Sequence, residues 1–314
     1  MPGPSEHLVA RRARSRARTR RRRLKASGAF LVVVLALAVL LIETGSGSQK
    51  KRPVNGRPAA TIPHLRASAR ELGRGGSHAL TRAERAALRR LARLGRPIYC
   101  AGPHGHAVAF TFDDGPGPYT HLALKKLRAA HERATFFAVG RSINAFPGYL
   151  RPELALGTVG DHTYTHPLLT FLPEAAVFSE ISRTARQIQF DDGQRVRLFR
   201  PPYGAHDAIV DRVARRLGLL EILWNVDSAD SLGANYAGII RNVKAGLHPG
   251  SIILMHENRG QTIRALTTLL PLLHRRHLRS VSLPELLAAD PPSARQLRQG
   301  PAGCPRRVLR GGGG

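Results

Sequence analysis

From residue 107 onward, short runs of apolar, β-branched and aromatic residues alternate with stretches whose apolar positions recur every three or four residues. The runs are AVAFTF (107–112), ATFFAVG (134–140), TVGDHTY (158–164), VRLFR (196–200), EILWNV (221–226), SIILMHE (251–257) and SVSL (280–283). Between them, HLALKKLRAAH (121–131), EAAVFSEISRTARQIQ (174–189), DAIVDRVARRLG (207–218) and TIRALTTLLPLLHRR (262–276) have helical spacing. Alternation of this kind predicts an α/β fold on a parallel sheet, and the number of runs predicts a distorted (β/α) barrel of about seven strands. A doubly wound open sheet is the competing architecture.

Upstream, TRAERAALRRLARLG (81–95) opens with the capping-box pair Thr81 and Glu84, carries apolar residues at helical spacing and ends on Gly95, which predicts a short amphipathic helix. The longest apolar stretch is ASGAFLVVVLALAVLLI (26–42), preceded by Arg11, Arg12, Arg14, Arg16, Arg18 and the run Arg20 to Arg23. It is slightly shorter than the roughly 20 residues of a comfortable span, so it reads as a single N-terminal transmembrane or signal-anchor helix, or as a cleaved signal. The basic cluster keeps the N-terminus in the cytoplasm and places everything after Glu43 outside. The chain thus divides into a basic cytoplasmic tail (1–25), the apolar segment (26–42), a Pro-, Gly- and Ser-containing linker (43–78), the amphipathic helix (79–99), a main domain (100–290) and a mostly disordered tail (291–314).

Composition changes this picture little. The chain has 314 residues, 42% of them hydrophobic, enough for one catalytic-sized domain with appendages. Its formal charge of +28 would attract any polyanion, but much of the excess lies ahead of the apolar segment, which argues against a nucleic-acid-binding face. Only Cys100 and Cys304 carry thiols, too few for a zinc ribbon. They flank the main domain, whose ends are expected to be neighbours, so a bridge clasping those ends is one reading and two unpaired thiols the other.

Five motifs fall at or just after strand ends, where βα-loops build barrel sites. In FTFDDGP (110–116) a strand runs into Asp113 and Asp114, which on a regular strand face opposite sides. GDHTYTHP sets His162 and His166 four apart, which in a helix or strand puts both imidazoles on one side, as two ligands of one metal require. LFRPPYGA offers Arg200, whose planar fork can hold a carboxylate, and a stiff loop able to present a backbone N–H. WNVDSAD carries Trp224, Asp227 and Asp230, and IILMHE brings His256 out of a very apolar strand, suited to proton transfer. Taken singly, each has a plainer account: a capped turn, exposed histidines, a rigid loop, a core histidine.

Together these residues resemble the polysaccharide deacetylases of the NodB-homology type, carbohydrate esterase family 4, over roughly residues 104–290. TFDDGP, HTYTH, RPPYG, WNVDSAD and the Leu254–His256 motif occur in that family's order, with Ser231 where many members carry Trp. The resemblance implies one divalent ion, Zn²⁺ foremost, on Asp114, His162 and His166. It implies Asp113 as general base held by Arg200, the Tyr203 N–H for an oxyanion, His256 as general acid oriented by Asp230, and Leu254 with Trp224 lining an acetyl pocket. The implied partner is an N-acetylated glycan polymer, peptidoglycan before a chitin-like N-acetylglucosamine polymer, met at the outer face of the membrane. A non-catalytic, anchored glycan- or polyanion-binding protein on the same fold is the rival from another class.

Overall fold

The computed structural model describes residues 79–193 and 195–305. The basic tail, the apolar segment 26–42 and the linker 43–78 lie outside the described residues. Among those described, no helix is long and apolar enough to cross a membrane.

Eight strands form one sheet: β1 (Ala107–Gly115), β2 (Ala134–Ala138), β3 (Gly157–Asp161), β4 (Leu198–Phe199), β5 (Leu220–Glu221), β6 (Val226–Asp227), β7 (Ile252–His256) and β8 (Arg279–Ser280). Their order is β5-β4-β3-β2-β1-β7-β6, with β8 paired to the start of β1, and every ladder is parallel. Period-two alternation sorts β1 into two faces. Val108, Phe110 and Phe112 join Phe136, Leu124, Leu127, Ile253 and Met255 in the core beneath the helices. Ala109 joins Phe137, Leu198, Ile222 and Ile252 in a second core on the other face, and Thr111 and Asp113 share that side by alternation.

The barrel is open. The run 221–226, expected as one strand, is split between β5 at one edge of the sheet and β6 at the other. The cause is local: Arg200 takes the carbonyls of Ile222 and Leu223, at 3.1 and 3.2 Å, and draws this stretch out of the ladder. Residues 98–101 are stitched across the gap. Ile98 N–H donates to Glu221 O at 3.0 Å, Leu223 N–H to Ile98 O at 2.8 Å, and Ala101 N–H to Gly250 O at 2.8 Å.

The amphipathic helix forms over Arg82–Arg93 with both halves of its capping box made, and buries Leu88 and Leu91 in the second core beside Leu283, Leu286 and Leu287 of the helix Leu283–Ala289. Helices Gly140–Ala145, Leu150–Leu156 and Tyr236–Gly246 also form without having been read from spacing. The tail needs correction as well: Ala294–Gln299 is helical, started by a Ser293–Gln296 capping box, and a 3-10 turn follows over Gly300–Gly303. Side-chain capping and the Gln296 amide, which donates to Ala101 O at 2.7 Å, order what composition alone left loose. A disulfide joins Cys100 to Cys304, Cα atoms 5.9 Å apart, and closes a separation of 204 residues.

In the chain-entropy model a loop of that length contributes about 5 kcal/mol to stability, an upper figure. Cys304→Ser is expected to lower the melting temperature, and reductant should shift the unmodified protein but not the variant; scanning calorimetry with and without reductant measures both.

Candidate active site

The parallel register brings the ends of several strands to one level. Asp113 of β1 lies opposite Phe137 of β2 and His256 of β7, and Asp161 of β3 lies opposite Phe199 of β4. Arg200, directly after β4, is fully buried. Its Nη1 donates to Asp113 Oδ1 at 2.7 Å and to Thr111 Oγ1 at 2.8 Å, and its guanidinium stacks over Phe137 at 4.2 Å. Burial pulls the Arg200 pKa below its ordinary value, and the neighbouring Asp113 carboxylate opposes that shift.

Asp114 does not simply face away from Asp113. The β1–β2 register slips between Asp113 and Gly115, and Asp114 has φ of 70°, so a bulge turns its carboxylate back toward the histidines. His162 Nε2 lies 3.6 Å from Asp113 Oδ2 and 3.7 Å from Asp114 Oδ1; His166 Nε2 lies 3.2 Å from Asp114 Oδ1. Nor do the two histidines share a helix or strand. They sit on the loop after β3, where Thr163 and His166 both have φ of 65°, and converge with ring centroids 4.9 Å apart. His162 Nδ1 is 2.7 Å from the carbonyl oxygen of Arg200. A carbonyl only accepts, so Nδ1 carries the proton and Nε2 turns its lone pair to the site. Asp114, His162 and His166 each offer one donor atom, all within 4.8 Å of one another, and this oxygen-and-two-nitrogen set fits a divalent ion such as Zn²⁺.

Across the sheet, His256 Nδ1 is 2.7 Å from Asp230 Oδ1, and the His256 N–H donates to Asp230 Oδ2 at 2.8 Å. Burial alone would lower the His256 pKa, but the hydrogen bond and charge of Asp230 outweigh it, helped by Asp113 and Asp114, and the imidazole titrates above its usual value. Asp230 shows the complement: burial would raise it, yet bonds from His256 and Thr262 hold it below the usual carboxylate range. Leu254, buried in β7, shares a strand face with His256. Trp224 lies half-buried between β5 and β6, its ring 5.6 Å from the Arg200 guanidinium. A Cβ on Gly204, where φ is 65°, would stand 2.8 Å from that indole, so the loop after Pro202 needs glycine to pass it. Tyr203 has φ of 62°, is 67% exposed and sets its ring edge-on to His166 at 4.8 Å.

Sequence reasoning missed the groups that hold these residues in place. Thr262 donates to Asp230 at 2.5 Å. Glu180, on the helix Glu174–Asp192, accepts the N–H groups of Tyr164 and Thr165 at 3.0 and 2.8 Å and fixes the histidine loop. Buried Asp161, its pKa pushed well up by burial, accepts the Thr163 N–H at 2.8 Å. Glu257 is buried behind Gly115, where a Cβ would fall 1.4 Å from its Oε1. Burial pushes its pKa up to about 8, the Thr120 hydroxyl opposing and Asp114 and Asp113 adding to the rise. Glu257, directly after His256, and Asp161, directly before His162 in GDHTYTHP, stand beside the motif residues, whereas Thr262 and Glu180 act from helices without a motif.

A family model described as "Polysaccharide deacetylase" matches residues 101–222. The peptidoglycan-N-acetylglucosamine deacetylase of Listeria monocytogenes is 35% identical over 181 residues, 57% of this chain and 38% of that protein. A chitooligosaccharide deacetylase of Bradyrhizobium is 34% identical over 197 residues, 57% of this chain and 90% of that protein. A solved family 4 carbohydrate esterase from Streptomyces lividans, in complex with acetate, superposes with a TM-score of 0.53 at 38% identity, covering 58% of this chain and 92% of that one. The chain thus spans well under two thirds of the Listeria protein's length.

Removing the Arg200 charge should cost about 3–5 kcal/mol, because Asp113 is then buried without its counter-charge. Urea unfolding of Arg200→Met is expected to show this loss, and Asp113→Asn added to that variant should restore part of it by removing the uncompensated charge.

Proposed function

The chain belongs to the polysaccharide deacetylase family, carbohydrate esterase family 4, and on that premise we propose that it hydrolyses N-acetyl groups on an aminosugar polymer, releasing acetate and leaving the free amine. The observation that carries this reading is the placement of Asp113. Its carboxylate is fixed by Arg200 at 2.7 Å, faces the donor set of Asp114, His162 and His166, and lies opposite His256 in the parallel register. Base, ion-binding set and acid therefore surround one small volume at the strand ends.

A divalent ion on Asp114, His162 and His166, with Zn²⁺ our choice, would polarise the acetyl carbonyl and make water more acidic. Asp113, oriented by Arg200, accepts the proton of the attacking water. The Tyr203 N–H, on a loop stiffened by Pro201 and Pro202, is the donor we assign to the developing oxyanion. His256 delivers a proton to the departing nitrogen, since an unprotonated amide nitrogen is a poor leaving group, and Asp230 keeps the imidazole charged until then. Leu254 and Trp224 are the residues we assign to the acetyl methyl.

Two of the relatives act on N-acetylglucosamine-type glycans by name, which supports peptidoglycan first and a chitin-like polymer second. The basic residues ahead of segment 26–42 support a catalytic domain outside the cytoplasmic membrane, anchored by that segment or secreted if it is cleaved. Exposed Leu232, next to Ser231, and exposed Phe171 are apolar surfaces suited to sugar-ring faces.

Acetate release from purified peptidoglycan and chitin oligomers tests the reading. Asp113→Asn should keep its metal by elemental analysis and lose about 10²–10⁴ in turnover. Asp114→Asn should bind metal weakly and recover in part with excess ion. If neither glycan yields acetate from the unmodified protein, the non-catalytic binding reading replaces ours.

The pH profile gives a second check. His256 works protonated, so turnover falls as pH rises through its raised pKa. Asp230→Asn removes the charge that raises it, and the alkaline limb should move to lower pH.

A further inference from the structure

A second group of donors stands apart from the reacting residues. His206 follows the Tyr203 loop, Asp211 lies in the first turn of the helix Ala208–Leu217, and Glu221 ends β5. Their donor atoms all lie within 4.8 Å of one another. We propose that His206, Asp211 and Glu221 form a second divalent-cation site, structural rather than catalytic, that ties the loop bearing Tyr203 to the edge of the sheet.

Three observations support it. Glu221 Oε1 is 3.6 Å from His206 Nδ1, about the separation of two ligands roughly 2.0–2.2 Å from one ion in a tetrahedral shell, while Asp211 Oδ1 is hydrogen-bonded to the same Nδ1 at 2.9 Å and would part from it slightly to ligate. Next, Glu221 is 5% exposed and its Oε1, aimed at His206, has no hydrogen-bond partner. A buried carboxylate oxygen in that state is costly, and among the described residues His206 is the only basic group within ion-pairing reach. Third, the outer ring nitrogen of His206 is provided for. Its Nε2 lies 3.4 Å from the Tyr99 hydroxyl. When an ion displaces the Nδ1 proton that Asp211 otherwise accepts, Nε2–H can donate to that hydroxyl and Nδ1 turns its lone pair to the ion, the arrangement usual for metal-binding histidines.

One imidazole nitrogen and two carboxylate oxygens suit a borderline first-row ion, and Zn²⁺ is the probe. The side chains of His206 and Asp211 are 26% and 30% exposed, so the site is open to solvent. The two carboxylate charges would be balanced by a divalent ion, with the imidazole neutral.

The test is stoichiometry. The full chain is stripped with chelator, dialysed against Zn²⁺ near neutral pH and measured by elemental analysis, beside His162→Ala, Glu221→Gln and their combination. Two ions per unmodified chain, one for each single variant and none for the double variant are expected, with Zn²⁺ raising the melting temperature of His162→Ala but not of the double variant. His206→Gln, a change at a partly exposed position, repeats the loss without disturbing the buried carboxyl, and circular dichroism verifies that each variant is folded. The proposal is overturned if folded Glu221→Gln and His206→Gln bind as much Zn²⁺ as the unmodified chain, or if the unmodified chain binds a single ion that His162→Ala removes. A loss confined to His162→Ala would leave the catalytic assignment standing while this one falls.

Discussion

A fully buried guanidinium organises this domain. Arg200 would be expensive to remove from water on its own, and the structure surrounds it with an acid, a hydroxyl, two carbonyl oxygens and the face of Phe137. Each of those partners is then committed. Asp113 is pinned as an acceptor, Ile222 and Leu223 leave the ladder and the barrel opens, and Trp224 is delivered to the wall above. The backbone of the same residue accepts from His162 and so selects which imidazole nitrogen faces the site. Asp113, proposed as the base, His162 of the proposed ion-binding set and the break in the sheet thus share a single cause, and disturbing one should be felt by the others.

Opposite Arg200, the arrangement of charge is reversed. Asp230 is a buried anion satisfied by His256, Thr262 and the Ser231 N–H, and it exists to favour a cation on the neighbouring imidazole. Glu257 and Asp161, by contrast, are buried carboxyls whose pKa values rise. Burial disfavours negative charge on both, while the bonds they accept from the Thr120 hydroxyl and the Thr163 N–H help shape the surroundings of the site.

Much of this was legible in the sequence, and the reason differs by residue. The strand runs and the acids and histidines at their ends follow from short-range spacing, so the parallel order and the convergence of Asp113, His162, Arg200 and His256 could be anticipated. What spacing could not give depends on distant partners. The bulge that turns Asp114 is a register slip against β2, the split of 221–226 is imposed by Arg200, and the helix Ala294–Gln299 is held by Ser293, Gln296 and the carbonyl of Ala101. The alternation rule assigned Asp113 and Asp114 to opposite faces for a regular strand, and the strand is irregular at that very position. Glu180 sits mid-pattern on one amphipathic helix and Thr262 in the first turn of another, where nothing local distinguishes a supporting acid or hydroxyl from a solvated one.

The bridge between Cys100 and Cys304 has a topological consequence. Every residue assigned to binding or chemistry, from Asp113 to His256, lies within the covalent ring that this bond closes. A protease cutting one surface loop inside that ring would yield a nicked molecule rather than two fragments, because each new end remains joined to the other through the sulfur link. The packed cores could then hold the severed segments in register. If the catalytic domain works outside the cytoplasmic membrane, as proposed above, such a ring would turn a first cleavage from a terminal event into a survivable one.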